Sequence, residues 1–203
     1  MTTASIVAID GPAGSGKSTV SRAVAEALGI DRLDTGAMYR AVAWAAIQRH
    51  VDLGDHDALA GLAESIQIDV GDRVVVDGID VTTAIRQPDV NQTVSMVAAC
   101  AAVRTVLVER QRRWVVEHGG GVVEGRDIGS VVFPDAAVKI YLTASPEERG
   151  RRRSEEGADG VARRDRIDST RAASPLEVAD GAHVIDTTGR SVNDVVKEVL
   201  GWL

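Results

Sequence analysis

Gly11-Pro12-Ala13-Gly14-Ser15-Gly16-Lys17-Ser18 satisfies the pattern G-x-x-x-x-G-K-[ST] at every position, and it lies between an apolar run, Ile6 to Ile9, and a helix-like stretch, Ser18 to Leu28. A glycine-rich turn between a strand and a helix lets successive backbone N–H groups converge on one point. The helix start adds the positive end of its dipole there. Such a point is built to hold phosphate. Gly11, Pro12, Ala13, Gly14, Ser15, Gly16, Lys17, Ser18 and Thr19 therefore form a candidate nucleotide-binding segment. Lys17 is expected to reach the β and γ oxygens, and the Ser18 hydroxyl to ligate Mg²⁺.

Outward from this loop, strand-like segments recur at Ser5 to Asp10, Val122 to Glu124, Val138 to Thr143 and His183 to Asp186, with helix-periodic segments after the first, third and fourth. That alternation predicts an α/β fold, a parallel sheet with helices on both faces. Ser145 before Pro146, Glu147 and Glu148 marks one helix start, and Ser191 followed by Asp194 marks another. The middle of the chain breaks the rhythm. Ile66 to Val70 and Arg73 to Val76, punctuated by Gly71-Asp72 and Asp77-Gly78, predict short antiparallel strands and hence an inserted lobe. Pro88 to about His118 is expected to be helical with a break near Cys100 to Ala102, and Gly157 to Gly160 to be a mobile loop.

The 203 residues and 44% hydrophobic content suffice for one sizeable core. A formal net charge of −7 argues against a nonspecific nucleic-acid binder, which needs a basic surface to displace counterions. Local charge tells a different story. Lys17, Lys139 and Lys197 are the only lysines among 23 basic residues, and Arg149, Arg151, Arg152, Arg153, Arg163, Arg164, Arg166 and Arg171 crowd one segment. Arg presents a planar fork to phosphate where Lys is a point charge. Cys100 is the single cysteine, so an internal disulfide is impossible and a reducing compartment is expected. With no apolar run near the roughly 18 residues of a membrane span and no basic-then-apolar leader, the expectation is a cytoplasmic protein without a membrane partner. His50, His56, His118 and His183 have no zinc-ligand spacing.

The second substrate must be read from other clusters. Asp34-Thr35-Gly36-Ala37-Met38-Tyr39-Arg40 carries a carboxylate, a hydroxyl and an Arg, while Tyr39 and Trp44 read as core. Ser95 and Arg104 lie on the helical stretch after the lobe. Glu124, Arg126 and Asp127 stand at the carboxyl end of a core strand, where ligands bind in open α/β sheets. Asp186-Thr187-Thr188-Gly189 imitates a GTPase motif but lacks an Asn-Lys-x-Asp partner, and reads as a turn.

In order, DGPAGSGKST (10–19), LDTGAMYR (33–40), VEGRDIGSVVFPDA (123–136), KIYLTAS (139–145) and RRDRIDSTRAASPL (163–176) closely resemble the bacterial cytidylate (CMP) kinase family, over nearly the whole chain. The resemblance implies a P-loop NTPase core at 1–35, 106–149 and 172–203. It also implies a monophosphate-binding lobe at 36–105, with its antiparallel insert at about 63–90, and a lid at 150–171. The implied reaction is transfer of the ATP γ-phosphoryl group to CMP or dCMP with Mg²⁺, by a protein expected to be a monomer. Lys17, Arg126, Arg153 and Arg164 would be the catalytic cations, and Arg149 would join the ATP site. Arg40, Arg126 and Arg171 would clamp the acceptor phosphate, with Arg164 closing from the lid. Thr35, Arg104 and Asp127 match base-contacting positions, and Asp168 with Ser95 behind it the pentose contact. Only Ser154 to Ala162 separates Arg153 from Arg163, shorter than in relatives.

The roles agree with the chemistry. Cytosine offers an exocyclic amine donor beside acceptors, so a carboxylate plus an Arg reads its edge and disfavours uracil. A phosphate monoester is already largely ionised at neutral pH, so alignment and charge neutralisation suffice without a general base. A lid is needed because water competes as acceptor. Two other readings stay open on residues alone: a kinase of this architecture for UMP, AMP or another small acceptor, and a nucleotide-dependent switch that transfers nothing.

Overall fold

The computed structural model describes residues 5–153, 157–170, 174 and 176–203, with the side chains of 5, 157–159 and 164 outside the description. The chain divides into two units, Met1–Leu33 with Arg112–Leu203, and Asp34–Gln111.

The first unit is organised by β1 (Ser5–Asp10), whose residues from Val7 onward are all buried, as a central strand of a parallel sheet must be. The five-stranded sheet has the order β2 (Arg32–Asp34), β6 (Gly120–Glu124), β1, β7 (Val138–Thr143), β8 (His183–Asp186). β1 pairs in parallel with β6, Ile9 opposite Glu124, and with β7, Asp10 opposite Tyr141. β6 is buried throughout, whereas β7 alternates and β8 at the edge buries only Ile185. Strand β2 is too short for a sequence pattern to reveal it. Helices α1 (Lys17–Leu28) and α8 (Val192–Leu200) close the core through Val20, Val24, Val195 and Val199 packed with Val7, Ile9, Val122, Ile140, Leu142 and Ile185. Burying an aliphatic side chain of this size contributes about 1.5–3 kcal/mol. Ser191 caps α8 by accepting the Asp194 N–H at 3.2 Å, as the sequence predicts. With its glycine loop between β1 and α1 and its helix-flanked parallel sheet, this unit has the P-loop NTPase fold.

Further along the first unit, α6 (Pro146–Arg152) is capped by Ser145, which accepts the Glu148 N–H. Residues Gly157–Thr170 form helix α7, which corrects the expected mobile loop at 157–160. Glycines lower helix propensity by only about 1 kcal/mol each. Val161, Asp165 and Asp168 share one helical face at four- and three-residue spacing, and contacts along that face hold the helix. Val161 and Asp168 are buried, Asp168 meets Arg126, and Asp165 meets the glycine loop.

The second unit begins where Asp34 accepts the Ala37 N–H and so caps α2 (Thr35–Gln48), whose alanine-rich surface is mostly buried. Asp55 caps α3 (His56–Ser65) in the same way. The predicted antiparallel strands are present as β3 (Ile68–Val70) and β4 (Val74–Val76), with β5 (Ile79–Asp80) added after Asp77-Gly78. Positive φ at both turn residues, 50° and 81°, suits a tight hairpin of the right twist. Helices α4 (Pro88–Ala99) and α5 (Ala101–His118) meet at an angle of 92°, with Cys100 at the break. Among the described residues no single helix is long and apolar enough to cross a membrane.

Candidate active site

Close backbone contacts fix the conformation of the glycine loop. At Gly11, φ is +143° and a Cβ would lie 2.0 Å from the Leu142 carbonyl oxygen; at Gly14, φ is +78° and a Cβ would meet the Arg149 backbone at 2.8 Å. Only glycine fits either position. Lys17 is buried, and its Nζ donates to Pro12 O at 2.7 Å. Burial, then the neighbouring Arg126 and Arg153 charges, pull its amine well below the usual lysine range, against the opposing pull of Glu124 and Asp10. Ser18, Ser21 and Arg32 converge on one carboxylate, Glu124, at 3.0, 3.1 and 2.6 Å.

Sequence reasoning placed Glu124 among the charged groups at the ligand end of the strand but gave it no specific role. The signal was an acid ending an otherwise apolar, fully buried strand, a position an unpaired carboxylate cannot hold. Two further residues were missed. Asp165 accepts the Ala13 N–H at 3.2 Å and pairs with Arg149, whose guanidinium also donates to Ala13 O and Ala144 O. Arg152 donates to Thr187 O and, at 3.4 Å, to Gly14 O. The buried Thr187 hydroxyl lies 3.0 Å from Ser15 O, so the Asp186–Gly189 segment, read as a turn, also buttresses the loop.

Arg126 and Asp127 follow directly on β6. Arg126 Nε donates to Asp168 Oδ2 at 3.0 Å, uniting two predicted site residues that lie far apart in sequence. Burial opposes the Arg126 charge, yet the carboxylates around it, Asp168 first and then Asp165 and Glu124, together raise the guanidinium above its ordinary value. Asp127 is buried and opens a wide helical turn, Ile128–Val132, whose 131 and 132 N–H groups donate to its carbonyl. Such wide turns recur at functional positions. Arg153 ends α6. The Arg164 side chain and all of Arg171 lie outside the described residues.

The second unit carries the remaining candidates. Thr35 opens α2 and is buried. Arg40 donates to Ile85 O at 2.9 Å and Asn91 Oδ1 at 2.6 Å. Ser95 on α4 and Arg104 on α5 are buried, and the Arg104 guanidinium lies 5.8 Å from the centre of the Tyr39 ring. Tyr39 is therefore a core residue that also supports an Arg.

A cytidylate kinase from Pelotomaculum thermopropionicum is 51% identical over 213 aligned positions, covering 96% of this chain and 93% of that protein. One from Rhodococcus opacus is 49% identical, covering 98% and 94%. A bifunctional pantoate ligase/cytidylate kinase from Synechococcus is 47% identical, over 97% of this chain and 44% of that longer protein. A gluconokinase from Sinorhizobium meliloti shares the fold alone, with a TM-score of 0.52 at 14% identity over 98% of this chain and 91% of its own. The cytidylate kinase family model matches residues 7–203, a span that takes in the glycine loop, Glu124-Gly125-Arg126-Asp127 and the α7 acids together, and the chain belongs to the cytidylate kinase family.

Proposed function

We propose that the chain transfers the γ-phosphoryl group of ATP to CMP and dCMP, giving ADP and CDP or dCDP. The observation that carries the reading is the placement, on adjacent parallel strands β1 and β6, of a phosphate loop and of Arg126-Asp127 immediately beyond the strand end. Family membership supplies the acceptor.

In this reading the loop amides and Lys17 hold the donor phosphates. Ser18 would hold Mg²⁺ with Glu124 beside it, since a hydroxyl and a carboxylate 3.0 Å apart are the oxygen ligands a hard cation prefers. When bound, the ion neutralises charge on the β and γ oxygens. Arg126, Arg40 and Arg171 orient the acceptor phosphate, and Arg153 and Arg164 stabilise the transferring group, each acting through positioning and charge. Asp127, with Thr35 and Arg104, reads the cytosine edge; Asp168 and Ser95 serve the pentose. Arg149 flanks the donor. The lone buried thiol of Cys100 supports operation in the reducing cytosol.

The test is ADP release with ATP and Mg²⁺ across CMP, dCMP, UMP, AMP and no acceptor. CMP and dCMP should dominate. Preference for UMP or AMP, or no acceptor-dependent turnover, would overturn the proposal.

A further inference from the structure

Asp10 is the last residue of β1, immediately before the glycine loop, and its side chain is buried. Its two oxygens are each taken by one main-chain donor from the far side of the β1–β6 pair: Ile128 N–H to Oδ1 at 2.9 Å and Gly129 N–H to Oδ2 at 2.8 Å. These are the two residues that follow Asp127. On the preceding side, the Gly125 N–H donates to Ile9 O at 3.0 Å, and the Asp127 carbonyl is engaged by the wide turn. The segment carrying Arg126 and Asp127 is thus stitched at both ends to the last two residues of β1. A carboxylate suits the task because two adjacent N–H groups need two acceptors. An amide in its place would offer one acceptor and turn an NH₂ toward the second donor.

We propose that Asp10 is a positioning residue for nucleobase selection: by fixing the main chain at 128–129 it aims Asp127, so the strand end that opens the phosphate cradle also sets the base reader. The inference rests on the reading that Asp127 recognises cytosine. Its consequence is specific: disturbing Asp10 damages discrimination between pyrimidines, and not simply the overall rate.

The experiment compares wild type, Asp10→Asn and Asp127→Asn for kcat and KM with CMP, UMP and ATP, with thermal unfolding of each. Asp10→Asn is expected to lower kcat/KM for CMP by about tenfold to a hundredfold, chiefly through KM for CMP, and to shrink the CMP-to-UMP preference by about tenfold or more, while KM for ATP changes by less than about threefold. A folded Asp10→Asn that keeps the wild-type CMP-to-UMP ratio, losing rate equally on both, overturns the proposal. A wild type with no CMP preference, or an Asp127→Asn that keeps it, overturns the base-reading assignment instead. Should Asp10→Asn fail to fold, Asp10→Glu retains the charge and both acceptors but displaces them by one methylene. An unchanged ratio in that variant overturns the proposal equally.

Discussion

Glu124→Ala removes the carboxylate on which Ser18, Ser21 and Arg32 converge, and its cost follows from burial. The Glu124 side chain is 3% exposed and that of Arg32 14%, so the substitution leaves a guanidinium largely shielded from water without its counter-charge. Breaking a buried pair from one side costs about 3–5 kcal/mol, and the residual exposure of Arg32 places this case near about 3. The Ser21 hydroxyl, fully buried, loses an acceptor as well, adding about 1 kcal/mol. A total of about 4 kcal/mol corresponds to a fall in Tm of about 8–16 °C for a chain of this size. Thermal unfolding by circular dichroism measures it. Arg32→Ala and the double variant complete a cycle: the double variant should be less destabilised than the sum by about 1–3 kcal/mol, because removing both partners strands no charge. A Tm within about 2 °C of wild type for Glu124→Ala, or strict additivity in the cycle, would refute the reasoning.

Further outcomes are expected. Gly11→Ala should destabilise by about 3 kcal/mol or more, since its Cβ would collide with a backbone oxygen, whereas Gly29→Ala, at φ +64° with nothing within 4 Å, should cost about 1 kcal/mol; urea unfolding of the two variants separates collision from backbone strain. Asp127→Ala should lower kcat/KM for CMP about a hundredfold, from loss of a desolvated charged hydrogen bond worth about 2–3 kcal/mol, in a coupled ADP-release assay. The Asp10 carboxyl is raised from 3.8 to about 6, chiefly by burial, against its two backbone hydrogen bonds. The folded state therefore holds this proton more tightly than the unfolded one. Wild-type stability should fall relative to Asp10→Asn by about 3 kcal/mol between about pH 4 and about pH 6, and the difference should then level off. A difference that is flat across that window in urea unfolding would count against the buried, raised carboxyl.

The glycine loop and its flanking strand and helix were legible from residues alone because the signal is local: glycine spacing and a following Lys-Ser fall within one short stretch, and Ser145 and Ser191 cap their helices for equally local reasons. The hairpin strands were visible through Gly71-Asp72 and Asp77-Gly78. Strand β2 was not, because three residues paired with β6 carry no periodicity. The reading of 157–160 as a loop failed because glycine content measures only intrinsic propensity, while Asp165 and Asp168 tie α7 to the glycine loop and to Arg126.

What the amino-acid sequence determined by itself was the class of chemistry, through a glycine-rich loop between strand and helix, arginines crowded in one segment and acids at strand ends, since each depends on neighbours in the chain. Only the tertiary structure decided which acid does what. Glu124 serves Ser18, Asp165 the Ala13 amide and Asp10 the amides beyond Asp127, across separations of more than a hundred residues. Those pairings follow from the parallel register of β1 with β6 and from the packing of α7, and a buried carboxylate takes the donors that the fold brings to it.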